Sequence, residues 1–366
     1  MDSIVISGTG LFVPPHKISN EELVESFNTY VSEFNKSNPE TPLAFSDAEF
    51  IYKASGIKSR YVMEKSGILD INIMRPTIPI RHDDENSIQC EMAVNASKQA
   101  FENANVTSSD IDTVIVACSN MERPYPAISI EVQNALGISG SAFDLNVACS
   151  SATFAIETAM NSILANKSKA VLVVNPEICS AHLNFKDRDS HFIFGDACTA
   201  IVLQKKERCK SLNSYTILDT KLKTNFSNNI RNNFGYLNPC NIEKISPNEL
   251  LFKQNGRKVF KDVVSWVTDH LSEQLNSLNI NSDQIKRLWL HQANINMNQL
   301  IVKKVLGRDP TDSEAPIIID EFANTSSAGS IICFHRHNQD IIQGDICLLS
   351  SFGAGYSVGS IVLQKN

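Results

Sequence analysis

Three side chains far apart in the chain, a cysteine, a histidine and an asparagine, have types and settings that could do chemistry, with the cysteine as nucleophile. Cys149 lies in Phe143-Asp144-Leu145-Asn146-Val147-Ala148-Cys149-Ser150-Ser151-Ala152-Thr153-Phe154, where an extended apolar run passes through the cysteine into a helix. Downstream, Ala152, Ala155, Ile156, Ala159, Met160, Ile163 and Leu164 recur at helical spacing. Cys149 is thus set at a helix start, where unpaired N–H groups and the positive helix end favour a thiolate, the nucleophilic form of cysteine. His291 follows the strand-like run Arg287–Leu290, at the kind of strand terminus where sites in α/β sheets lie. Asn324 precedes a further helical stretch. Taken singly, each has a plainer reading: a packed core cysteine, a structural histidine, a helix-capping asparagine.

These residues act together only if the elements around them converge, and the chain repeats itself in a way that makes them do so. Ser87 to Asn105 reads as a helix, followed by Val106-Thr107-Ser108-Ser109-Asp110-Ile111 and the strand Thr113–Ala117. Val259 to Leu278 repeats the helix, and Asn279-Ile280-Asn281-Ser282-Asp283-Gln284-Ile285 leads into Arg287–Leu290. The nucleophile segment is echoed by Asp320–Gly329, read as a second strand passing into a helix. Such duplication implies two similar α/β lobes about a pseudo-two-fold axis, with corresponding loops meeting in the middle. The lobes are expected at 1–207, with a surface excursion over 27–86, and at 208–366, with a second long loop over 220–255. A strand at Ile4–Val13 is expected to turn at Gly8 and Gly10, and a helix to begin near Ser19, with Glu21 and Glu22 in its first turn.

Composition narrows the class. A chain of 366 residues with 42% hydrophobic content can bury a large core. No apolar run reaches membrane-spanning length, and no secretory signal precedes the first strand, so a cytoplasmic protein is expected. Nine cysteines without CxxC pairs or metal-ligand spacing read as reduced thiols. A net charge of −7 argues against general nucleic-acid binding. His335-Arg336-His337 reads as a solvated face, because histidines two apart on a helix diverge.

Val147-Ala148-Cys149-Ser150, His291-Gln292-Ala293-Asn294 and Phe322-Ala323-Asn324-Thr325-Ser326 together resemble the active-site motifs of the thiolase-fold condensing enzymes, above all β-ketoacyl-acyl-carrier-protein synthase III. Phe194-Gly195-Asp196 and the run Phe352 to Ser360 are similar to that family as well. The resemblance covers nearly the whole chain and implies a layered α-β-α-β-α architecture. It implies a decarboxylative Claisen condensation in which Cys149 is acylated by an acyl-CoA and then attacked by a malonyl-derived carbanion on acyl carrier protein, with no cofactor or metal. His291 and Asn324 would serve chiefly the malonyl half-reaction, as donors to the developing enolate. The N–H groups of Cys149 and Ala354 would form the oxyanion hole, where each fixed donor contributes about 3–4 kcal/mol.

Carried over by position, Phe50, Arg188, Gly256 and Asn294 would contact coenzyme A or its pantetheine arm. Phe50 replaces a tryptophan that stacks on adenine. Tyr125 would reach the acyl pocket of a partner subunit, implying a homodimer. Lys261, Lys303 and Lys304 would dock the carrier protein, although Asn296 stands where the family usually has arginine. Rival readings are a thiolase, which would place a second cysteine where Phe352-Gly353-Ala354-Gly355 stands, a relative joining two long acyl chains or transferring acyl groups to oxygen, and a non-catalytic partner subunit. Acetyl, short branched and medium-chain primers all stay open.

Overall fold

The computed structural model describes residues 3–241, 243 and 245–366; Met1 and Asp2, read as leading into the first strand, lie outside the described residues. The strands of the first part are β1 (Ile4–Phe12), β2 (His16–Ser19), β3 (Ser59–Val62), β4 (Thr113–Ala117), β5 (Ser141–Leu145), β6 (Ala170–Glu177) and β7 (Ala197–Lys205). Its helices are α1 (Asn20–Ser37), α2 (Ala48–Ser55), α3 (Ser66–Leu69), α4 (Ile88–Ala104), α5 (Ile128–Leu136) and α6 (Ser151–Leu164). The second part adds β8 (Tyr215–Ser227), β9 (Ile230–Arg231), β10 (Lys253–Gln254), β11 (Ile285–Leu290), β12 (Ile346–Gly353) and β13 (Gly355–Lys365). Its helices are α7 (Gly256–Ser277), α8 (Ile295–Leu306), α9 (Ile319–Phe322) and α10 (Ala328–Arg336).

The duplication is visible in strand order. The sheet runs β11-β12-β13-β8-β1-β7-β6-β4-β5, so β8, β13, β12 and β11 repeat outward from the centre the arrangement of β1, β7, β6 and β4. Pairing senses repeat too: β1–β7 and β6–β7 are antiparallel and β4–β6 parallel, as are β8–β13, β12–β13 and β11–β12 in turn. The halves join where β1 meets β8, at Val5–Thr216 and Ile6–Tyr215. The central strands are continuous apolar runs because both of their faces are covered. α6 and α10 fill the middle layer, where Ala152, Ala155 and Ile156 meet Ile331 and Ile332 among residues of both half-sheets. α4 covers the outer face of the first half and α7 and α8 that of the second, giving the α-β-α-β-α order.

Several expectations change. The strand before Cys149 is not buried: β5 is the open edge of the sheet, and Phe143 is 40% exposed. The echo at Asp320–Gly329 contains no strand; residues 319–322 form the short helix α9, so the second half lacks a counterpart of β5. The excursion is more regular than its prolines suggested. α1 carries Phe27 and Val31 on through Ser37, and α2, β3 and α3 share a core with Phe192, Ile193 and Phe194. The second loop begins only after Ser227, since β8 pairs with β13 along thirteen residues whose outer end is polar. His335 and His337 are half-buried rather than solvated: His335 Nδ1 lies 2.8 Å from Thr9 Oγ1, and the His337 carbonyl accepts from Arg287 and Trp289. The expected start of α1 holds, with Ser19 and Glu22 closing a capping box.

Gly8 and Gly10 are not a turn. They lie inside β1, where α4 rests directly on the strand: a Cβ on Gly10 would lie 2.0 Å from the Ala96 carbonyl oxygen, and one on Gly8 2.5 Å from that of Ala100. Gly10→Ala must therefore push α4 off the sheet, and it should lower unfolding stability by about 2–3 kcal/mol in urea titration. An unchanged midpoint would contradict this packing.

Candidate active site

β5 ends at Leu145, and the chain turns through Ala148, at φ 46°, into a single tight turn over 148–150 before α6 begins. This left-handed step carries Cys149 between the end of β5 and the start of α6. The end of β12 approaches from the other half. A Cβ on Gly353 would lie 2.6 Å from the Cys149 Cβ and 3.0 Å from its Sγ, so only glycine permits the approach. The next residue, Ala354, directs its backbone N–H at Sγ, as does Cys149 its own.

His291 follows β11, its N–H bonded to the Ser350 carbonyl at 2.8 Å and its carbonyl held by Asn298 Nδ2 at 2.8 Å. Its ring stands edge-on to Phe352 at 5.4 Å. Asn324 bridges to the strand-like Phe194: its N–H donates to Ile193 O at 3.0 Å, and its carbonyl accepts from Gly195 N at 3.1 Å. Asn324 Oδ1 accepts from Ser326 N at 2.9 Å, which leaves the amide Nδ2 as the group able to donate elsewhere. Cys149, His291 and Asn324 all line one cavity of about 650 Å³, with Phe50, Gly256, Asn294, Phe192, Phe194, Phe252 and Gly353. A larger hollow of about 890 Å³ lies beside β11 and α8, and it contains none of the three.

Burial governs the protonation of the site. It pushes the Cys149 thiol up to about 11, against the bonds from Ser326 and the two backbone N–H groups, and the negative Glu177 adds to the rise. The helix start therefore does not yield a resting thiolate; desolvation outweighs it. Burial likewise pulls His291 down to about 4, against a backbone hydrogen bond at Ser326, so the imidazole is neutral at ordinary pH.

Of the remaining expected residues, Phe50 and Arg188 come together, the guanidinium stacking on the ring at 4.4 Å while its Nε donates to the Phe45 carbonyl. Gly256 opens α7 at the cavity wall. Asn294 lines the cavity, but its amide is already engaged: it caps α8 and donates to the Ala54 carbonyl at 2.7 Å. Tyr125 is 80% exposed and does not line this cavity. Lys261 is exposed on α7, five residues after Gly256, near Arg257 at the cavity wall. Lys303 and Lys304 lie in the last turn of α8, away from the cavity, and Lys303 is paired with Asp309 at 2.8 Å.

Two residues had no role in the sequence reading. Ser326 Oγ lies 3.4 Å from Cys149 Sγ, and its place two residues after Asn324 in the same motif was the available signal. Glu177, fully buried, accepts from Ser119 N at 3.0 Å and Oγ at 2.6 Å, and from Ser327 N at 3.1 Å and Oγ. Nothing local in Pro176-Glu177-Ile178 marks it.

The layered, internally duplicated fold with a cysteine, a histidine and an asparagine meeting between its halves defines a thiolase-fold condensing enzyme. Models of the two parts of 3-oxoacyl-[acyl-carrier-protein] synthase III match residues 143–225 and 275–365. The chain is 54% identical over 350 residues to a β-ketodecanoyl-[acyl-carrier-protein] synthase of Pseudomonas aeruginosa, covering 94% of this chain and all of that one. It is 28% identical to a β-ketoacyl-[acyl-carrier-protein] synthase III of Vesicomyosocius okutanii, covering 98% of each. The crystal structure of a 3-oxoacyl-[acyl-carrier-protein] synthase III from Aquifex aeolicus superposes with TM-score 0.77 at 23% identity, over 99% of both chains. The chain belongs to the 3-oxoacyl-[acyl-carrier-protein] synthase III family and is an acyl-transferring condensing enzyme of fatty acid biosynthesis. Among the described residues no helix is long and apolar enough to cross a membrane, and no group of side chains is arranged to hold a metal ion.

The raised thiol makes a direct prediction. Alkylation of Cys149 by iodoacetamide should speed up about tenfold per pH unit between pH 7 and 10, because the reactive thiolate fraction grows until the pH reaches the pKa. A rate that levels off near pH 8 would show a depressed pKa instead.

Proposed function

We propose that the chain condenses a medium-chain acyl-CoA with a malonyl unit on acyl carrier protein, through an acyl-Cys149 intermediate, to give a 3-oxoacyl carrier protein and carbon dioxide. The observation that carries this reading is the pair of backbone N–H groups, of Cys149 and Ala354, aimed at Sγ in a cavity that His291 and Asn324 also line. In the first stage the Cys149 sulfur attacks the acyl-CoA carbonyl. A new carbon–sulfur bond forms, the bond to coenzyme A breaks, and the thiol proton must leave. The thiol proton is lost as the sulfur attacks, because the thiolate is the nucleophilic form. The proton returns to the departing coenzyme A thiolate.

In the second stage carbon dioxide leaves the malonyl thioester and charge builds on its carbonyl oxygen. His291 and the free Nδ2 of Asn324 supply donors there, and neutrality suits the imidazole to this role. The carbanion attacks the acyl-cysteine, the N–H groups of Cys149 and Ala354 hold the oxyanion, and the thiolate departs to be reprotonated. His291 and Asn324 thus serve chiefly the second stage.

The primer is read as octanoyl: the similar Pseudomonas aeruginosa enzyme is named for a ten-carbon product, and two carbons come from malonyl. Apolar Phe192, Phe194, Phe252 and Met297 in the cavity suit such a chain. Coenzyme A would enter past the stacked Phe50 and Arg188, beside Gly256 and Asn294. The carrier would dock on Arg257, Lys258 and Lys261, all exposed at the start of α7, with Lys304 more distant and Lys303 partly neutralised by Asp309. A homodimer through the open edge of β5 is part of this reading, with exposed Phe143 at the join and Tyr125 reaching the partner subunit. Nine free cysteines support a reducing, cytoplasmic setting. The division into lobes 1–207 and 208–366 belongs to the same reading, and the repeated strand order on either side of β1 and β8 supports it.

An acyl-CoA panel with malonyl carrier protein should favour octanoyl over acetyl by about tenfold or more in kcat/KM, several buried methylenes easily supplying that margin. A preference for acetyl would sink the medium-chain assignment. In single-turnover measurements Asn324→Ala and His291→Ala should each slow condensation by about 10²-fold while leaving acylation of Cys149 nearly unchanged. Equal losses in both steps for Asn324→Ala would refute the division.

A further inference from the structure

We propose that Glu177 is a positioning residue for the condensation: through Ser327 it fixes the loop that aims the Asn324 amide at the developing enolate. The inference rests on the reading that Asn324 donates in the second stage, and it adds the group of the first half that holds this residue of the second half in place.

The loop needs holding. Asn324 stands close to two non-glycine residues in left-handed backbone conformations, Ala323 at φ 56° and Ser326 at φ 49°. With ψ at −157°, Ala323 lies at the edge of a region almost reserved for glycine. Such conformations persist only where their surroundings over-determine them. On one side the backbone of Asn324 is pinned by its bonds to Ile193 and Gly195. On the other side the pin is Glu177.

That second pin works through a short chain of bonds. Asn324 Oδ1 accepts from Ser326 N at 2.9 Å, so the direction of the free Nδ2 follows the backbone of Ser326. The next residue, Ser327, gives both its N–H, at 3.1 Å, and its hydroxyl to Glu177 Oε1. The same carboxyl group takes Ser119 N at 3.0 Å and Ser119 Oγ at 2.6 Å, which ties the loop to the chain just past β4. Two backbone N–H groups and two hydroxyls thus meet on one side chain, and an ionised carboxylate, which only accepts, is the form that takes all four. Glu177 is 1% exposed, and each of these four donors is neutral. A buried charge compensated only by neutral donors costs stability that a neutral side chain would not. In return its hydrogen bonds are about twice as strong as those between neutral groups. That added strength falls on the loop that carries Asn324.

The test is kinetic. Glu177→Gln keeps the shape of the side chain and removes its charge. Enzyme is first acylated by the acyl-CoA it prefers and then mixed with malonyl carrier protein. Single-turnover condensation by this variant should be slower by about tenfold, the worth of one hydrogen bond to a charged group, while acylation of Cys149 stays nearly unchanged. Ser327→Ala, which loses the hydroxyl and keeps the N–H, should slow the same step by a smaller factor, and it carries the test if Glu177→Gln does not fold. In the Asn324→Ala background either change should slow condensation no further, because the group being positioned is gone. Undiminished slowing in that background, or none in the otherwise unaltered enzyme, overturns the positioning role and leaves Asn324 as the donor. Condensation at full rate by Asn324→Ala alone overturns the donor reading, and the positioning role with it.

Discussion

The site depends on one close approach between the two halves, that of Gly353 to Cys149. Cys149 is delivered by the β5–α6 connection of the first half, whereas one of the two backbone N–H groups that lower its thiol pKa comes from Ala354 after β12 of the second. The halves can bring these together only because position 353 has no side chain: a Cβ there would lie 2.6 Å from that of Cys149. The same device recurs around the site. A Cβ on Gly195 would lie 2.3 Å from the Phe322 carbonyl oxygen, and one on Gly359 2.3 Å from Thr153 Oγ1 on α6. Glycines at these seams let elements from distant parts of the chain approach more closely than any side chain would allow.

Burial then decides the electrostatics. The thiol of Cys149 is raised, the imidazole of His291 is lowered, and Asp196 is raised to about 6 despite accepting from Ser180 and Met63. Desolvation is the leading cause in each case. A neutral thiol and a neutral imidazole suit the proposed condensation, in which charge appears first on a tetrahedral oxygen and later on an enolate and is met by fixed donors. Glu177 keeps a polar centre in this interior by gathering donors from Ser119 and Ser327, tying the end of β6 to the loop that follows Asn324.

The excursion after α1 is structural rather than ornamental. It builds its own core from Ile51, Ile57, Val62 and Ile68 against Phe192 to Phe194, and so presents Phe50 at the cavity beside the guanidinium of Arg188.

Local pattern settled a good deal. Helical spacing after Cys149, the helix start near Ser19 with Glu21 and Glu22 in its first turn, and the twice-repeated helix, turn and strand were readable because each depends on neighbours within a few residues. The three motifs around Cys149, His291 and Asn324 were readable as types in context, and their placement in one cavity followed from the duplication. What tertiary structure decided depends on groups distant in the chain. Gly8 and Gly10 read as a turn, whereas α4 lies on β1 there; β5 read as buried, whereas it is an edge strand with Phe143 40% exposed. The helix start at Cys149 argued for a thiolate, yet the cost of burial, contributed by every element packed around the sulfur, reversed the sign. Residue type and spacing determined which groups this protein brings to its chemistry; packing alone determined their protonation, because desolvation is a property of the whole interior and not of any segment.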